Sequence, residues 1–260
     1  MVSGFVVRLS GLRLAVGTLS ILRVRVEAAD RSTAGRAMAC APLVGAGIGA
    51  VAALVGWAAR AYTGSTFIAA VAAVATCAVV TRALHLDGLA DVADGLGSAK
   101  PREQALEIMK QSDIGPFGVV TLVLVLALQI TCVTSAYTHH RGGLAIIVAA
   151  VTGRLAITLA CTPRVPSARP DGLGAWVAGT VSTRTASLVA AACLIGCAAL
   201  GYVRGLDIAL LAGAACVAGT ACSLALLHRC VTRFGGITGD VLGSLVETGA
   251  AGALLVLAAR

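Results

Sequence analysis

Three aspartates, Asp87, Asp91 and Asp94, stand at spacings of four and three in the stretch "LHLDGLADVADGLGS" (84–98). On a helix these steps turn 400° and 300°, so the three carboxylates fall within about 60° of arc. Like charges on one face repel unless a cation or solvent offsets them. Hard oxygen donors of this kind suit Mg²⁺ or Mn²⁺, which are held through one or two carboxylates plus a substrate phosphate. A second acidic stretch, "GGITGDVLGSLVETG" (235–249), repeats the pattern, with Asp240 and Glu247 seven apart on one helical face. Gly88, Gly95 and Gly97, with Gly235, Gly236, Gly239 and Gly243, leave room for a bulky ligand to approach backbone. His85 has three open readings: general base, hydrogen-bond partner or border residue. Arg154 is either a phosphate clamp or the partner of a buried carboxylate.

The elements that must position these groups are membrane helices. The chain has 260 residues, 58% hydrophobic and 12% charged, with a mean hydropathy of +0.93. Ordinary soluble domains are roughly 25% charged. Apolar runs reach the length a helix needs to cross a bilayer, and none alternates as barrel strands do. The predicted fold is an all-α polytopic bundle forming a single domain over 1–260. It has about seven spans, roughly 37–59, 65–84, 116–137, 142–161, 186–203, 206–227 and 240–259, plus an N-terminal interfacial or re-entrant segment at 1–22. Gly45 and Gly49, four apart, suit close helix packing through small faces.

Charge sets the expected topology. The segment before the first span and those after the second, fourth and sixth carry fifteen of the twenty Lys and Arg. The opposite connections carry Arg60, Arg141, Arg204 and Arg260, and Arg154 lies inside a span. By the positive-inside rule the long loops are cytoplasmic. Both acidic segments, within 82–118 and 229–247, then share that side, in a multi-pass protein of the cell (inner, plasma) membrane. Asp207 and the His139–His140 pair fall on the other. Residues 98–118 predict a short cytoplasmic helix with Pro101 at its first position, docked by Leu106 and Met109, and a "DIGPFG" turn back into the membrane. The Pro-rich stretch 162–185 predicts a flexible connection or lid.

The net charge of +8 does not indicate nucleic-acid binding, because the arginines punctuate apolar runs without interleaved aromatics. Nine cysteines without a CxxC pair are packing residues in a reducing or lipid setting. Arg8 and Arg13 interrupt the first apolar stretch, which does not predict a cleaved signal peptide. No Walker A motif occurs.

The motifs "LHLDGLADVADG", "REQALEIMKQSDIGPFG" and "GGITGDVLGSLVE" together resemble the cobalamin synthase family of adenosylcobinamide-GDP ribazoletransferases. The likeness covers the order of spans over most of the chain, with its specific motifs at 82–118 and 235–247. Asp113 departs from the pattern, standing where a basic residue follows the serine in the family. The resemblance implies that α-ribazole, or its 5′-phosphate, attacks adenosylcobinamide-GDP in the presence of Mg²⁺. Adenosylcobalamin, or its phosphate, forms and GMP leaves. It implies Asp87, Asp91, Asp94 and Asp240 as metal ligands, with Glu247 as a further ligand or its support. Asp87, or alternatively His85, is the base for the ribazole hydroxyl. Arg82, Lys110 and Arg154, with Lys100 and Arg102, are the cations expected to meet substrate phosphates. The implied partners are these two substrates and the lipid bilayer, with assembly into a homo-oligomer left open. Two alternatives remain at this point: a CDP-alcohol phosphotransferase-like lipid enzyme, which shares only Asp91-x2-Asp94-Gly95, and a divalent-cation transporter.

Overall fold

A computed structural model describes residues 2–24 and 30–259. Its helices are α1 (Val2–Leu19), α2 (Arg31–Ala39), α3 (Ala41–Thr63), α4 (Thr66–Val80), α5 (Leu84–Gly97) and α6 (Arg102–Ile108). They continue with α7 (Pro116–Thr138), α8 (Gly142–Ala160), α9 (Gly172–Val177), α10 (Thr183–Tyr202), α11 (Leu206–Phe234) and α12 (Gly239–Leu257). Among the described residues the only β feature is an isolated bridge between Ser167 and Ile237.

The seven predicted spans correspond to α3, α4, α7, α8, α10, α11 and α12, a polytopic membrane bundle. Six of these are long and apolar enough to cross a bilayer alone; α4 passes only together with α5, and the pair is bent by 87°. Local signals set the boundaries. Proline in the first turn opens α3 and α7, and Gly64 closes α3 in the left-handed conformation (φ 72°). Ser65 caps α4 and Thr238 caps α12, each side chain accepting a backbone N–H three residues on.

α8 is the most enclosed span and packs against α3, α11 and α12. Glycines make this possible, because lipid gives apolar side chains little reason to leave it and close backbone contact must supply the attraction. A Cβ at Gly45 would stand 2.5 Å from the carbonyl oxygen of Ala150, and one at Gly153 2.5 Å from that of Val246. Gly49 likewise faces Ile147 and Ala150, so both glycines of "GAGIG" serve the α3–α8 contact. Large apolar side chains on α7 (Val120, Val123, Leu124) and α10 (Leu188, Ile195) stay exposed, as lipid-facing surfaces do. All nine cysteines are free and six are buried in the bundle.

The N-terminal segment holds a helix, α1, which lies outside the six spans and packs on α2 and α3. The connections differ from the sequence reading in two places. Pro101 is the residue before α6 rather than its first, while Leu106 and Met109 are buried as expected. The stretch 162–185 is no free loop. Ala168 N–H donates to the Ile237 carbonyl (3.0 Å), Ile237 N–H to that of Pro166 (2.9 Å), and Val181 N–H to that of Cys161 (3.1 Å). Its backbone groups find partners on the segment before α12, and that fixes it.

Candidate active site

The site is made by a bend. Arg82 and Ala83 both take left-handed backbone conformations (φ 56° and 55°), uncommon for residues with a Cβ. The reversal is held by the Ala83 N–H donating to the Ala78 carbonyl at 2.7 Å. It turns α5 off the axis of α4 and lays it over the N-terminal ends of α7 and α12. Gly88 sets how closely α5 and α12 meet: a Cβ there would lie 2.6 Å from the Asp240 carbonyl oxygen and 2.9 Å from its Cα. Gly243 returns the favour across the crossing, facing the backbone of His85 at 3.2 Å. Gly88 and Gly243, two of the glycines expected to admit a ligand, therefore admit another helix, and that contact brings the two acidic segments together.

Asp87 and Asp240 line one cavity of about 230 Å³. Drug-sized ligands occupy roughly 300–1,000 Å³, so it holds part of a large substrate. Its other walls include His85, Met38, Ile157, Leu173 of α9, and Thr18 and Leu19 of α1. Asp91 is half-buried beside them, on the part of α5 that lies beyond the bend and off the apolar spans. Burial, and then the charges of Asp240, Asp87 and Asp94, push its carboxyl up to about 7, against an opposing pull from Arg169. Crowded carboxylates of this kind are what a divalent cation relieves.

Asp94 has a different task. It is 8% exposed, and its two oxygens accept the N–H groups of Gly115 (2.8 Å) and Gly118 (3.0 Å) at the start of α7. A carboxylate at a helix N-terminus satisfies donors that no carbonyl can reach. A Cβ at Gly118 would stand 2.5 Å from Oδ2, and one at Gly115 would collide with Oδ1. The "DIGPFG" turn thus receives Asp94, which anchors α5 to α7.

Glu247, expected as a further ligand or its support, lies deeper in the bundle. Two helical turns beyond Asp240, it faces the bundle interior and accepts from Gln129 Nε2 at 2.8 Å. With Arg154 and Cys77 it lines a small cavity of about 40 Å³. Arg154 is 4% exposed and its Nη2 lies 3.4 Å from His85 Nδ1. Arg154 is buried within the field of Glu247, and through His85 it touches the wall of the carboxylate cavity. His85 Nε2 is buried and unpartnered. Lys110 is exposed and pairs with Glu107 on α6 at 3.0 Å, away from the carboxylates. Arg82 is exposed at the bend, on a shallow cleft with Arg23.

Arg169 was missed in the sequence, where it is one more arginine in a charged loop. Here its guanidinium donates to the Leu106 carbonyl, its Nε is buried and unpartnered, and its charge acts on both Asp91 and Asp240. Arg102, donating to the Ala168 carbonyl at 3.2 Å, holds the same stretch from the α6 side.

Among the described residues no three His, Cys, Asp or Glu side chains are grouped tightly enough to hold a metal alone. The donors instead fit Mg²⁺ as it is held beside phosphates, by one or two carboxylates with the remaining positions left to substrate and water.

A profile of the family described as Cobalamin-5-phosphate synthase matches residues 11–258. The chain belongs to that family. A curated relative from Frankia casuarinae, named adenosylcobinamide-GDP ribazoletransferase, is 48% identical over 95% of this chain and 93% of its own length. Relatives with the same name from Nocardioides and Bradyrhizobium diazoefficiens are 37% and 36% identical, over 95% and 96% of this chain and 98% and 94% of theirs. No solved structure matches. Within the cobalamin-5-phosphate synthase family the acidic segments acquire a chemical context, because a reaction at a phosphate calls for the carboxylates that α5 and α12 present.

Proposed function

We infer that the protein is an adenosylcobinamide-GDP ribazoletransferase, acting in assembly of the nucleotide loop of cobalamin. The hydroxyl oxygen of α-ribazole, or of its 5′-phosphate, bonds to the corrinoid-side phosphorus of adenosylcobinamide-GDP. The bond from that phosphorus to the oxygen of GMP breaks, GMP leaves, and the hydroxyl proton passes to a base. The observation that carries this reading is the meeting of Asp87 and Asp240 at one cavity in a chain of this family. Membership leaves the lipid enzyme and the transporter without support.

Asp87, Asp91 and Asp240 are the residues that would hold Mg²⁺ with the diphosphate. The ion supplies neutralisation of charge on the phosphoryl and leaving oxygens. Asp87, exposed at the cavity, is placed to accept the hydroxyl proton, with the imidazole of His85 on the same wall as the alternative base. Arg169 offers positive charge to phosphate oxygens from the side opposite α5. Asp94 fixes α5 to α7, and Arg154 with Glu247 fixes the floor under His85. Residues 98–112, 162–172 and 229–240 are joined at this end by contacts such as Arg233 to the Lys100 carbonyl and Ile237 to Ser167. Their excess of basic residues favours the cytoplasmic face of the cell membrane.

Purified protein in nanodiscs, given adenosylcobinamide-GDP, α-ribazole and Mg²⁺, is expected to release GMP and cobalamin in equal amounts. Absence of both products, with substrate intact, would sink the assignment. Cysteine labelling of Ser98→Cys and Thr238→Cys in a cysteine-free background is expected to mark both from the cytoplasmic side only. Labelling from opposite sides contradicts a single site.

A further inference from the structure

The opposite end of the bundle carries a second polar cavity that the reaction does not use. About 460 Å³ in volume, it is lined by Trp57, Arg60, Tyr137, His140, Gly142 and Arg204 among others. Tyr137, at the far end of α7, lies about 30 Å from the Asp94 anchor by helix rise. Among the described residues no carboxylate lines the cavity. Arg60 Nη1 and the Tyr137 hydroxyl are both buried without a hydrogen-bond partner, and Tyr137 is only 6% exposed. Such groups cost free energy unless something accepts from them. A guanidinium can only donate, and a phenol beside it donates best to an anion.

The cavity is built rather than incidental. Gly56 and Gly142 press against Tyr137, where a Cβ would collide with the hydroxyl and the ring respectively. The Arg60 guanidinium lies 6.0 Å from the Tyr137 ring centroid, so ring and charge hold each other in place. Arg204 donates to the His140 carbonyl and closes the other wall. Trp57, Tyr62 and Tyr202 are exposed around this end (64%, 93% and 67%), as aromatics are at the level of lipid headgroups.

We propose that this cavity binds a phosphate group through Arg60 and the Tyr137 hydroxyl, supplied by an anionic phospholipid headgroup or by a free phosphate anion. The site is separate from the carboxylate cavity and does not depend on the reaction assigned to it. The test uses the full protein in two arms. In the first, protein reconstituted with phosphatidylglycerol or phosphatidylcholine is extracted and the retained lipid counted by native mass spectrometry. In the second, thermal unfolding in phosphatidylcholine is followed with inorganic phosphate against chloride at equal ionic strength. Selective retention of phosphatidylglycerol identifies a lipid occupant, and a phosphate-specific rise in the unfolding midpoint identifies a free anion. In either case Tyr137→Phe, which deletes one hydroxyl and keeps the ring, and Arg60→Gln should weaken binding by about tenfold or more. GMP release by these variants serves as the check that they are folded. No selectivity in either arm for the unaltered protein, or selectivity that survives undiminished in Tyr137→Phe, overturns the proposal.

Discussion

Asp240 and Glu247 lie on the same helix, two turns apart and on the same face, yet the protein treats them in opposite ways. Asp240 meets α5 at Gly88, shares a cavity with Asp87, and accepts from the Thr238 hydroxyl at 3.1 Å with Arg169 within its field. Glu247 sits inside the bundle, where Gln129 donates to it and Arg154 lies within its field. A carboxylate among lipid-facing helices is costly unless matched, so the interior one carries its compensation in the chain. The one at the helix start opens on a cavity, where we propose that a cation arriving with the substrate adds to what Thr238 and Arg169 supply. The lesson is that a carboxylate open to a cavity, not merely a carboxylate at helical spacing, marks the chemistry.

The contrast is broken most severely at the open end. Asp91→Asn or Asp240→Asn should lower turnover by about a thousandfold at limiting Mg²⁺, measured as GMP release, while insertion and stability hold. Next comes Gly88→Ala, which removes no charge. Its Cβ would force α5 from Asp240, and a displacement of that order costs about a hundredfold in rate. Normal kinetics in this variant would mean that the α5–α12 contact does not set the geometry.

Asp94→Ala should act mainly on stability. Losing two charge-assisted hydrogen bonds at the start of α7 costs about 3 kcal/mol, read as a lower unfolding midpoint. Its Mg²⁺ requirement should stay that of the parent. Glu247→Gln should have the smallest effect on rate, less than about tenfold, because the amide oxygen can still accept from Gln129. Asp207→Asn, at the other end of the bundle, should change neither property.

Much of this arrangement was legible beforehand. Apolar runs located the spans to within a few residues, and the four-and-three spacing placed α5 as a helix with its aspartates on one side. Periodicity gives the angle around a helix but not what stands opposite. That is why Asp94 read as a ligand: its partners, the N–H groups of Gly115 and Gly118, are backbone donors in a turn twenty residues away. For Glu247 the spacing gave the face but not the depth, since seven residues preserve the face while moving about 10 Å deeper. Arg169 gave no signal at all. It depends on the pairing of residues 166–168 with Ile237, a tertiary contact within what reads as a Pro-rich loop. The bend at Arg82 and Ala83 was equally hidden, because neither residue type favours a left-handed backbone.

The central claim, a proposal, is that the carboxylates of α5 and α12 at the open end bind the catalytic metal while the one inside the bundle does not. A Mg²⁺ titration of GMP release, run side by side on the parent, Asp240→Asn and Glu247→Gln, tests it directly. The expected result is a Mg²⁺ half-saturation raised by about tenfold or more in Asp240→Asn and unchanged in Glu247→Gln. A raised requirement in Glu247→Gln alone, or in neither variant, would contradict the account.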